Sequence, residues 1–421
     1  MGTLVNSNSA IKKFLSEEDK QYIYMNKKLT MKVPILIAAR NEELAIKNTL
    51  IFLVDSLINY KNGLKEKCKK INNDLFFKKL ENLEFNILIC DNNSNDKTIE
   101  NIYEFKIQHK KLIDDYKINI FILKESNPGK LNALKTLLKY LEMSFLNSYD
   151  HIIFTDAEIE WGTNVYSELI DFKIKNSNVK LIGTKIIPKN KKLGFWGKLE
   201  LLPYYGYGET LPNGHGMFFK FISGMCYLAD RSVLHILKNE VPSIIGNEDV
   251  ALSAIIGKNN IHILSNACIY YYVTNNIKQF FIIRGRHIRD LYRLERWLKQ
   301  WYINKFSKKY SYQTNNKKKQ IKFIKKCVKK RFYDISENRL LKFILIFYSS
   351  SEKLNFSLNG LIKWIKNIRA FKLGLYFIFI LTPLGLFWYI IIKIISFLQS
   401  YYIKNEGWQT IRILENHNDE K

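Results

Sequence analysis

Two acidic residues, Asp156 and Glu158, directly follow the apolar run HIIFT at 151–155 and stand two positions apart. In an extended chain, residues two apart point to the same face, so both carboxylates would leave the backbone on one side. Such carboxylates repel each other unless a cation lies between them, and hard oxygen ligands suit Mg²⁺ or Mn²⁺ shared with substrate phosphates. The pair predicts a metal and phosphate site; two solvated loop acids are the alternative.

Three further polar clusters begin where an apolar run ends, as expected at one edge of a parallel sheet. The clusters are RNE (40–42), DNNSND (91–96) and NPGK (127–130). The apolar runs before them are VPILIAA (33–39), FNILIC (85–90) and INIFIL (118–123). Ligands of open α/β sheets bind at the carboxyl ends of the strands, so the four clusters are expected to converge on one crevice.

The elements that would position these clusters alternate between strand and helix. The runs are apolar throughout, as in strands buried on both faces, and the alternation predicts an α/β fold with a mostly parallel open sheet flanked by helices. Helices are predicted at 43–58, 96–108, 130–146, 163–176 and 248–257, and further strands at 179–187 and 218–229. A Lys-rich insertion at 59–84 is predicted to be a solvated surface helix, and a long basic helix is predicted over 277–305.

Two residues of the clusters suit a nucleotide. Asp91 is placed to accept hydrogen bonds from a base or a ribose, and Lys130, which opens a helix, is placed to face a phosphate. An ordinary exposed lysine is the alternative for Lys130. The DNNSND cluster superficially resembles an EF-hand loop, but its sixth position is Asp96 rather than Gly and its twelfth is Ile102 rather than Glu, so calcium binding is excluded.

The 421-residue chain has a net charge of +27, which suggests an anionic partner such as nucleic acid, a membrane surface or a phosphate-rich substrate. A general enrichment in Lys, Asn and Ile is the alternative explanation. The five cysteines are scattered and form no Cys-x-x-Cys pair, which argues against a zinc ribbon and fits a reducing compartment. The first twenty residues contain no long apolar stretch, so no signal peptide is expected.

The C-terminal part of the chain predicts a helical, membrane-associated region. Residues 373–392 carry no charge and are long enough for a helix that crosses a bilayer, although a buried core helix has the same pattern. The preceding residues, 301–372, are basic and amphipathic, as expected of a segment that lies on an anionic membrane surface. Since positively charged flanks stay in the cytoplasm, the catalytic part is expected on the cytoplasmic side. Residues 1–30 and 393–421 are interpreted as an N-terminal extension and a C-terminal tail.

Six motifs occur in the order and approximate spacing found in family 2 glycosyltransferases. They are IAARNEE (37–43), DNNSND (91–96), NPGKLNAL (127–134), TDAE (155–158), FISGMCYL (221–228) and GNEDVAL (246–252). The chain resembles this family over about residues 31–300. The resemblance implies a GT-A fold and a membrane-associated enzyme that moves a hexose, with inversion, from a nucleotide-sugar donor to a glycan or lipid-linked acceptor with the help of Mg²⁺ or Mn²⁺.

The resemblance also implies roles for individual residues. The donor nucleotide would be bound by Ala39, Glu42, Asp91, Asp96, Lys130 and Asp156. The metal would be held by Asp156 and Glu158, although the family usually has Asp at the position of Glu158. The diphosphate or the acceptor would be contacted by Ser223, Gly224, Glu248, Arg284 and Arg286. Asp249 would be the catalytic base.

A carboxylate at Asp249 suits that role chemically. Inverting transfer needs one carboxylate to take the proton of the acceptor hydroxyl as the hydroxyl attacks the anomeric carbon. A metal stabilises the charge on the departing diphosphate. Glu248 and Asp249 would each raise the pKa of the other. The alternative is an ordinary helix N-terminus, where acidic residues are favoured by the macrodipole.

One motif departs from the family. Membrane-integrated members carry Gln-x-x-Arg-Trp, whereas this chain has IIRGRH at 282–287. Arg286 fits the Arg position, and a guanidinium is suited to bind diphosphate, although exposed cations are common on a basic helix. His287 takes the place of the Trp, which is associated with polymerising members, so the departure argues against a processive enzyme.

Two other functions fit parts of the pattern. A nucleotidyltransferase on a similar fold would have a Gly-rich loop after the first strand, but this chain has RNEE there. A membrane-attached nucleic-acid-binding protein would explain the charge, but the densest basic run adjoins the predicted membrane segment. We therefore expect a nucleotide sugar, a glycan or lipid-linked acceptor and an anionic membrane surface as partners, and no nucleic acid.

Overall fold

The computed structural model of the chain describes residues 17–71, 73–144, 149–190 and 222–273, with Gly194, Gly197 and separate positions between 276 and 305. These residues form an open sheet with helices packed against it, so the predicted α/β class is confirmed. Among them, no helix is both long and apolar enough to span a membrane. The predicted membrane segment 373–392 lies outside the described residues, as does nearly all of the basic region 301–372, and both remain predictions.

Eight strands form one sheet in the described part of the chain. They are β1 (Ile35–Ala39), β2 (Phe85–Asp91), β3 (Ile118–Lys124), β4 (His151–Asp156), β5 (Glu160–Trp161), β6 (Leu181–Pro188), β7 (Cys226–Asp230) and β8 (Ile261–Tyr271). Their spatial order is β3-β2-β1-β4-β7-β6-β8-β5. This curled, mixed sheet with flanking helices fits the GT-A architecture implied by the sequence resemblance.

The direction of the strands was predicted correctly for only part of the sheet. β3, β2, β1 and β4 are parallel, as expected, and β8 is parallel to β6. β7 is antiparallel to both of its neighbours, and β5 is antiparallel to β8, so the sheet is mixed. An apolar run buried on both faces looks the same whichever way the strand runs, which is why the sequence did not show this.

The antiparallel direction of β7 matters for the site. Its first residue, Cys226, is opposite Thr155 near the end of β4, and the N–H of Asp156 donates to the carbonyl of Met225 at 2.8 Å. The residues just before β7 therefore arrive where β4 ends. A parallel β7 would have placed them at the opposite edge of the sheet.

Helices fill the connections between the strands. They are α1 (Glu17–Thr30), α2 (Ile46–Ile71), α3 (Asp74–Glu81), α4 (Thr98–Gln108), α5 (Lys110–Asp115), α6 (Lys130–Met143), α7 (Val165–Lys175), α8 (Arg231–His235) and α9 (Glu248–Ile256). A π-helical turn, Ile236–Glu240, continues α8, and a 3-10 turn, Lys258–Asn260, precedes β8. The predicted helices begin and end within a few residues of α4, α6, α7 and α9, whereas α2 is much longer than expected.

The Lys-rich insertion is helical but is not simply a solvated surface helix. α2 continues through it to Ile71, and α3 follows. Leu64 and Cys68 of α2 and Phe76 and Leu80 of α3 are all buried in the main apolar core. The lysines between them occupy the outer face, so the composition of the segment hides its apolar stripe.

The core lies in two layers, one on each face of the sheet. Along β1, Ile35, Ile37 and Ala39 point to the layer that contains α2, while Leu36 and Ala38 point to the layer that contains α6. This period-two alternation between two apolar layers is expected of a central strand. β1 is buried along its whole length and supports the polar cluster that follows its last residue.

A buried lysine joins α7 to the last residue of β7, at the edge of the sheet opposite the polar clusters. The Lys173 ammonium is 3% exposed and donates to the carbonyls of Ser177 at 2.8 Å and Val179 at 2.6 Å and to Asp230 Oδ2 at 3.1 Å. Burial alone would raise the pKa of Asp230, but hydrogen bonds from Ser232 and Lys173 lower it to about 2.

We expect Lys173→Met to lower the free energy of unfolding by about 3 kcal/mol, because it leaves one buried carboxylate and two carbonyls without their donor. The pKa of Asp230 is lowered on folding, so its contribution is present above pH 3.8 and is lost as the pH falls towards 2. Urea unfolding at pH 7 and pH 3 should therefore show a smaller difference in acid. Lys175→Met, on the exposed face of the same helix, is the matched control, and an equal loss in both variants would contradict the assignment.

Candidate active site

The polar strand ends meet at one edge of the sheet, as predicted. Ala39 at the end of β1 is paired with Asp91 at the end of β2. Ala38 is paired with Asp156 at the end of β4. The parallel order of these strands therefore brings the RNE, DNNSND and Asp156–Glu158 clusters side by side. The remaining cluster, NPGK, lies in the loop that follows β3.

The centre of this edge is a network of charges around Lys130. The Lys130 ammonium lies 2.7 Å from Asp156 Oδ1 and 3.0 Å from Glu248 Oε1, and it donates to the carbonyl of Gly224 at 3.3 Å. The N–H of Gly224 donates in turn to Asp249 Oδ2 at 2.6 Å. Five residues from four separate parts of the chain thus form one connected polar group.

Local structure explains how Lys130 and the two acids reach this place. Lys130 is the first residue of α6, and Glu248 and Asp249 are the first two residues of α9. The N-terminus of a helix favours negative charge, which suits Glu248 and Asp249. The loop before each helix follows the edge of the sheet, so both helix N-termini open onto the same crevice.

Gly224 is required where it stands because other groups approach its Cα closely. A Cβ added to Gly224 would lie 3.2 Å from Asp249 Oδ2 and 3.2 Å from the Lys130 ammonium. Any larger residue would push these two charged groups apart. The glycine therefore lets the backbone before β7 pass between a base candidate and a phosphate-binding candidate.

Ser253 joins the same backbone to α9 one helical turn further on. Its hydroxyl accepts the N–H of Ile222 at 3.1 Å and donates to the carbonyl of Asp249 at 2.7 Å. Residues 249 and 253 are one turn apart, so one face of α9 holds both N–H groups of the segment before β7.

Burial and Lys130 act in opposite directions on the acids. Burial raises the pKa of Glu248 and the Lys130 ammonium lowers it, and the net pKa is about 7. Burial also raises the pKa of Asp249, against Lys130 and the N–H groups of Val250 and Gly224. Burial alone would lower the pKa of Lys130, but Asp156, Glu248 and Asp249 raise it above its ordinary value. The lysine is thus a fixed positive charge, and Glu248 titrates near neutrality.

Asp91 presents a buried oxygen to the crevice. The residue is 3% exposed, its Oδ2 accepts the N–H of Ser94 at 3.4 Å, and its Oδ1 has no hydrogen-bond partner among the described residues. A buried carboxylate oxygen without a partner costs free energy that an N–H from a ligand can recover. Ala39, which is paired with Asp91, is completely buried, and its side chain is only a methyl group.

Glu42 and Asp96, both predicted in the nucleotide site, belong to the loops that frame it. The N–H of Glu42 donates to the Thr98 hydroxyl at 2.7 Å. The Asp96 carboxylate accepts the N–H groups of Glu43 at 3.1 Å and Thr98 at 3.0 Å. Asp96 therefore ties the loop after β1 to the loop that joins Asp91 to α4.

The chain turns sooner at the acidic pair than expected. β4 ends at Asp156, and residues 157 and 158 form a turn, so the argument from an extended chain was wrong. Nevertheless, Ala157 and Ile159 are buried while Asp156 and Glu158 are partly exposed, so both acids remain on the open side.

These carboxylates fit a metal that arrives with its phosphate ligands. Within the described residues, no group of three or more His, Cys, Asp or Glu side chains could hold a metal ion. Mg²⁺, however, is usually bound by one or two carboxylates together with water and substrate phosphates. Asp156 and Glu158 supply hard oxygens of that kind.

Of the remaining predicted residues, the structure describes Ser223 and Arg286 but not Arg284. Ser223 lies in the segment before β7, and its hydroxyl accepts the N–H of Met225 at 3.4 Å. Arg286 is helical and partly exposed. Arg284 lies outside the described residues.

Sequence reasoning missed three buried residues that hold the site: Asn92, Ser253 and Asp290. A Cβ added to Gly246 would clash with the Asp290 carboxylate, so Asp290 lies directly against the loop that leads to Glu248. Ser253 had a visible signal, since it lies four residues after Asp249 and thus on the same helix face. Asn92 had none, because an asparagine in a polar cluster looks like a turn residue.

Comparison with known proteins finds similarity only among solved structures. No protein-family model and no curated protein matches the chain. The mannosyltransferase PcManGT from Pyrobaculum calidifontis, in complex with GDP-Man and Mn²⁺, is 12% identical, with a TM-score of 0.46 over 92% of this chain and 95% of that one. Glucosyl-3-phosphoglycerate synthase from Mycobacterium tuberculosis, in complex with Mn²⁺, UDP-glucose and phosphoglyceric acid, is 15% identical, with a TM-score of 0.37 over 64% of this chain and 82% of that one.

We expect Glu248→Gln to flatten the dependence of stability on pH. Folding raises the pKa of Glu248 from 4.5 to about 7, so its favourable contribution is present below pH 4.5 and is lost between pH 4.5 and 7. The wild-type free energy of unfolding should fall by up to about 3 kcal/mol over this interval relative to the variant. Urea unfolding at pH 4.5, 5.5, 6.5 and 7.5 measures the difference.

The exposed Glu81 at the end of α3 provides the control for Glu248. Glu81→Gln should reproduce the wild-type pH profile, because its charge is solvated in both states. If Glu248→Gln also follows the wild-type profile, Glu248 does not titrate near neutrality and the charge balance around Lys130 is wrong.

Proposed function

We propose that this chain is an inverting glycosyltransferase that moves a sugar from a nucleotide-sugar donor to an acceptor hydroxyl. The observation that carries the proposal is the network in which Lys130 contacts Asp156 and Glu248 while Asp249 is fixed by Gly224. It combines, at the ends of the strands, a cation for phosphate, carboxylates for a metal and a second carboxylate for proton removal. Sugar transfer from a nucleoside diphosphate needs these three groups.

Asp91 is the group that recognises the nucleotide. Its unpartnered, buried Oδ1 accepts a hydrogen bond but cannot donate one, so it favours a base that offers a ring N–H. Uracil and guanine have such a donor, whereas the corresponding ring nitrogens of cytosine and adenine are acceptors. Ala39 and the backbone around Glu42 form the adjoining wall, and the loop tied by Asp96 closes it.

In this proposal, the diphosphate lies next to the Lys130–Asp156 ion pair, whose charged atoms are 2.7 Å apart. The Lys130 ammonium opens α6, so a phosphate there meets both a fixed positive charge and a helix N-terminus. A divalent metal, Mg²⁺ or Mn²⁺, held by Asp156 and Glu158, supplies further positive charge to the diphosphate when it is bound. Arg286, or Arg284, is the remaining candidate for a phosphate contact.

Asp249 is the base because it is more accessible than Glu248. Glu248 is 1% exposed and paired with Lys130, whereas Asp249 is partly exposed and uses Oδ2 for the N–H of Gly224. Its other oxygen takes the proton of the acceptor hydroxyl. The acceptor oxygen forms a bond to the anomeric carbon as the bond from that carbon to the diphosphate breaks, and the configuration is inverted.

The membrane is the proposed location of the acceptor. The support comes from sequence: residues 373–392 are long and uncharged, and residues 301–372 are basic and amphipathic. A lipid-linked or glycan acceptor at an anionic membrane surface, with the catalytic part on the cytoplasmic side, fits this pattern. Gly224, whose N–H donates to Asp249, and its neighbour Ser223 are the candidates for contact with the acceptor.

To test for transfer chemistry, UDP-, GDP-, dTDP- and ADP-sugars are each offered as the donor. Hydrolysis of the donor is then measured in the presence of Mg²⁺ or Mn²⁺. We expect Asp249→Asn to lose turnover by at least about 100-fold while donor affinity changes little, because the base acts only in the chemical step. We expect Asp156→Ala to weaken metal-dependent nucleotide binding by at least about tenfold. Asp115→Asn, an exposed residue of α5, is the control.

Normal turnover in both site variants would show that the residues are assigned wrongly. Release of pyrophosphate from a nucleoside triphosphate and a sugar phosphate would instead identify a nucleotidyltransferase.

We expect Asp91→Asn to reduce the affinity for uracil or guanine nucleotides by about tenfold or more, since an amide can turn a donor towards the ring N–H. Binding of UDP, GDP, CDP and ADP is compared by calorimetry for the wild type and the variant. The wild type should prefer UDP or GDP, and the variant should lose that preference rather than all binding. An unchanged preference would mean that Asp91 does not contact the base.

A further inference from the structure

Asn92, at the end of β2, is completely buried although it stands in a polar cluster. Its amide nitrogen donates to the carbonyls of Glu125 at 3.2 Å and Asn127 at 2.8 Å. Its amide oxygen accepts the N–H of Gly129 at 2.6 Å. Both donor hydrogens of the side chain are therefore used inside the protein, and Asn92 has no free donor with which to bind a ligand.

The loop that Asn92 holds, residues 125–129, leads directly to Lys130. Gly129 is the last residue before α6 and has a φ of 134°, a conformation that L side chains rarely adopt. A Cβ added there would also lie 3.4 Å from the Asn132 side chain. The hydrogen bond from Gly129 to Asn92 thus fixes the point at which the chain turns into the helix.

The loop is otherwise held mainly by its own residues and by α6. Glu125 Oε1 accepts the N–H of Asn127 at 2.8 Å, and Glu125 Oε2 accepts the hydroxyl of Thr136 at 2.5 Å. The Asn132 amide donates to the carbonyl of Pro128 at 3.0 Å. These contacts give the loop its shape. The N–H of Glu125 donates to the carbonyl of Asp91 at 2.9 Å and ties the first residue of the loop to β2, whereas Asn92 ties the later residues, Asn127 and Gly129.

The position of Lys130 leaves little room for displacement. Its ammonium is 2.7 Å from Asp156 and 3.0 Å from Glu248, two groups that belong to different elements. A shift of about 1 Å away from either acid would take that contact beyond hydrogen-bond distance. Accurate placement of the start of α6 is therefore needed for both contacts at once.

We propose that Asn92 is a positioning residue for Lys130: by tying the 125–129 loop to the end of β2, it sets the ammonium between Asp156 and Glu248 and so controls the affinity for a nucleoside diphosphate. The nucleotide part of this statement rests on the proposed function. The effect on Lys130 rests on the hydrogen bonds alone, so the two parts can be tested separately.

Chemical labelling tests the geometric part without any ligand. The folded protein is treated with limiting acetic anhydride, and acetylation of Lys130 is followed by mass spectrometry relative to Lys139, an exposed residue of the same helix. Lys130 should react slowly in the wild type because its side chain is only 12% exposed and is paired with two acids. We expect Asn92→Ala to raise its relative rate several-fold. The exposed neighbour Asn93 has a φ of 59°, which glycine adopts without strain, so Asn93→Gly should leave the rate unchanged.

A double-mutant cycle tests the functional part. Binding of UDP and of GDP in the presence of MgCl₂ is measured by calorimetry for Asn92→Ala, Lys130→Met and the double variant. Each single variant should lose at least about tenfold in affinity, because Lys130→Met removes the ammonium that contacts the diphosphate and Asn92→Ala displaces that ammonium. The double variant should lose little more than Lys130→Met alone, because both changes remove the same interaction.

Three results would each overturn the proposal. They are labelling of Lys130 in Asn92→Ala at the wild-type rate, wild-type nucleotide affinity in Asn92→Ala, and additive losses in the double-mutant cycle. If Asn92→Ala does not fold, Gly129→Ala alters the same loop from its other end and is put through both measurements. Failure of both variants to fold would show a folding role and would also overturn it. If the wild type binds neither nucleotide, the proposed function fails, while labelling still decides the role of Asn92.

Discussion

The position of one ammonium group, that of Lys130, decides whether the other charges at this edge of the sheet can coexist. Asp156, Glu248 and Asp249 bring three carboxyl groups to a place where burial disfavours charge. Lys130 contacts two of them directly and lowers the pKa of both Glu248 and Asp249 against the effect of burial. Without this cation, the acids would be held neutral or pushed apart.

The scaffold brings this cation and its acids together by combining two strand directions. Parallel strands deliver Asp91 and Asp156 at their carboxyl ends, and the antiparallel β7 brings the segment around Gly224 to the same edge. α9 then joins that segment through Asp249 and, one turn later, Ser253. The site is thus built on a buried sheet and two helix N-termini, which hold charged groups more accurately than free loops would.

Much of the architecture was visible in the sequence because its signals are local. The four apolar runs gave β1 to β4 within a few residues, and the polar clusters after them indicated which edge carries the site. Three features depend on contacts between distant residues and left no local trace: the direction of β7, the burial of Phe76 inside a Lys-rich insertion and the bonds of Asn92 to the 125–129 loop. The turn at Glu158 was missed because strand ends are the least marked part of a strand. The resemblance named Asp249 and Lys130, but only the structure shows that they belong to one network.

The buried Lys173 is one example of how this chain uses its many lysines as internal ties. Lys61 donates to the carbonyls of Leu83 and Tyr116 at 3.0 Å each, Lys106 to that of Ile120 at 2.9 Å, and Lys135 to that of Val241 at 2.6 Å. A long, flexible arm with three donor hydrogens bridges loops that a short polar side chain cannot reach. Part of the positive charge therefore interacts with backbone carbonyls of the protein itself. In the described part of the chain, the ammonium groups of these lysines are directed at carbonyls of the protein itself, so they are less available than exposed lysines for direct contact with a polyanion such as a nucleic acid.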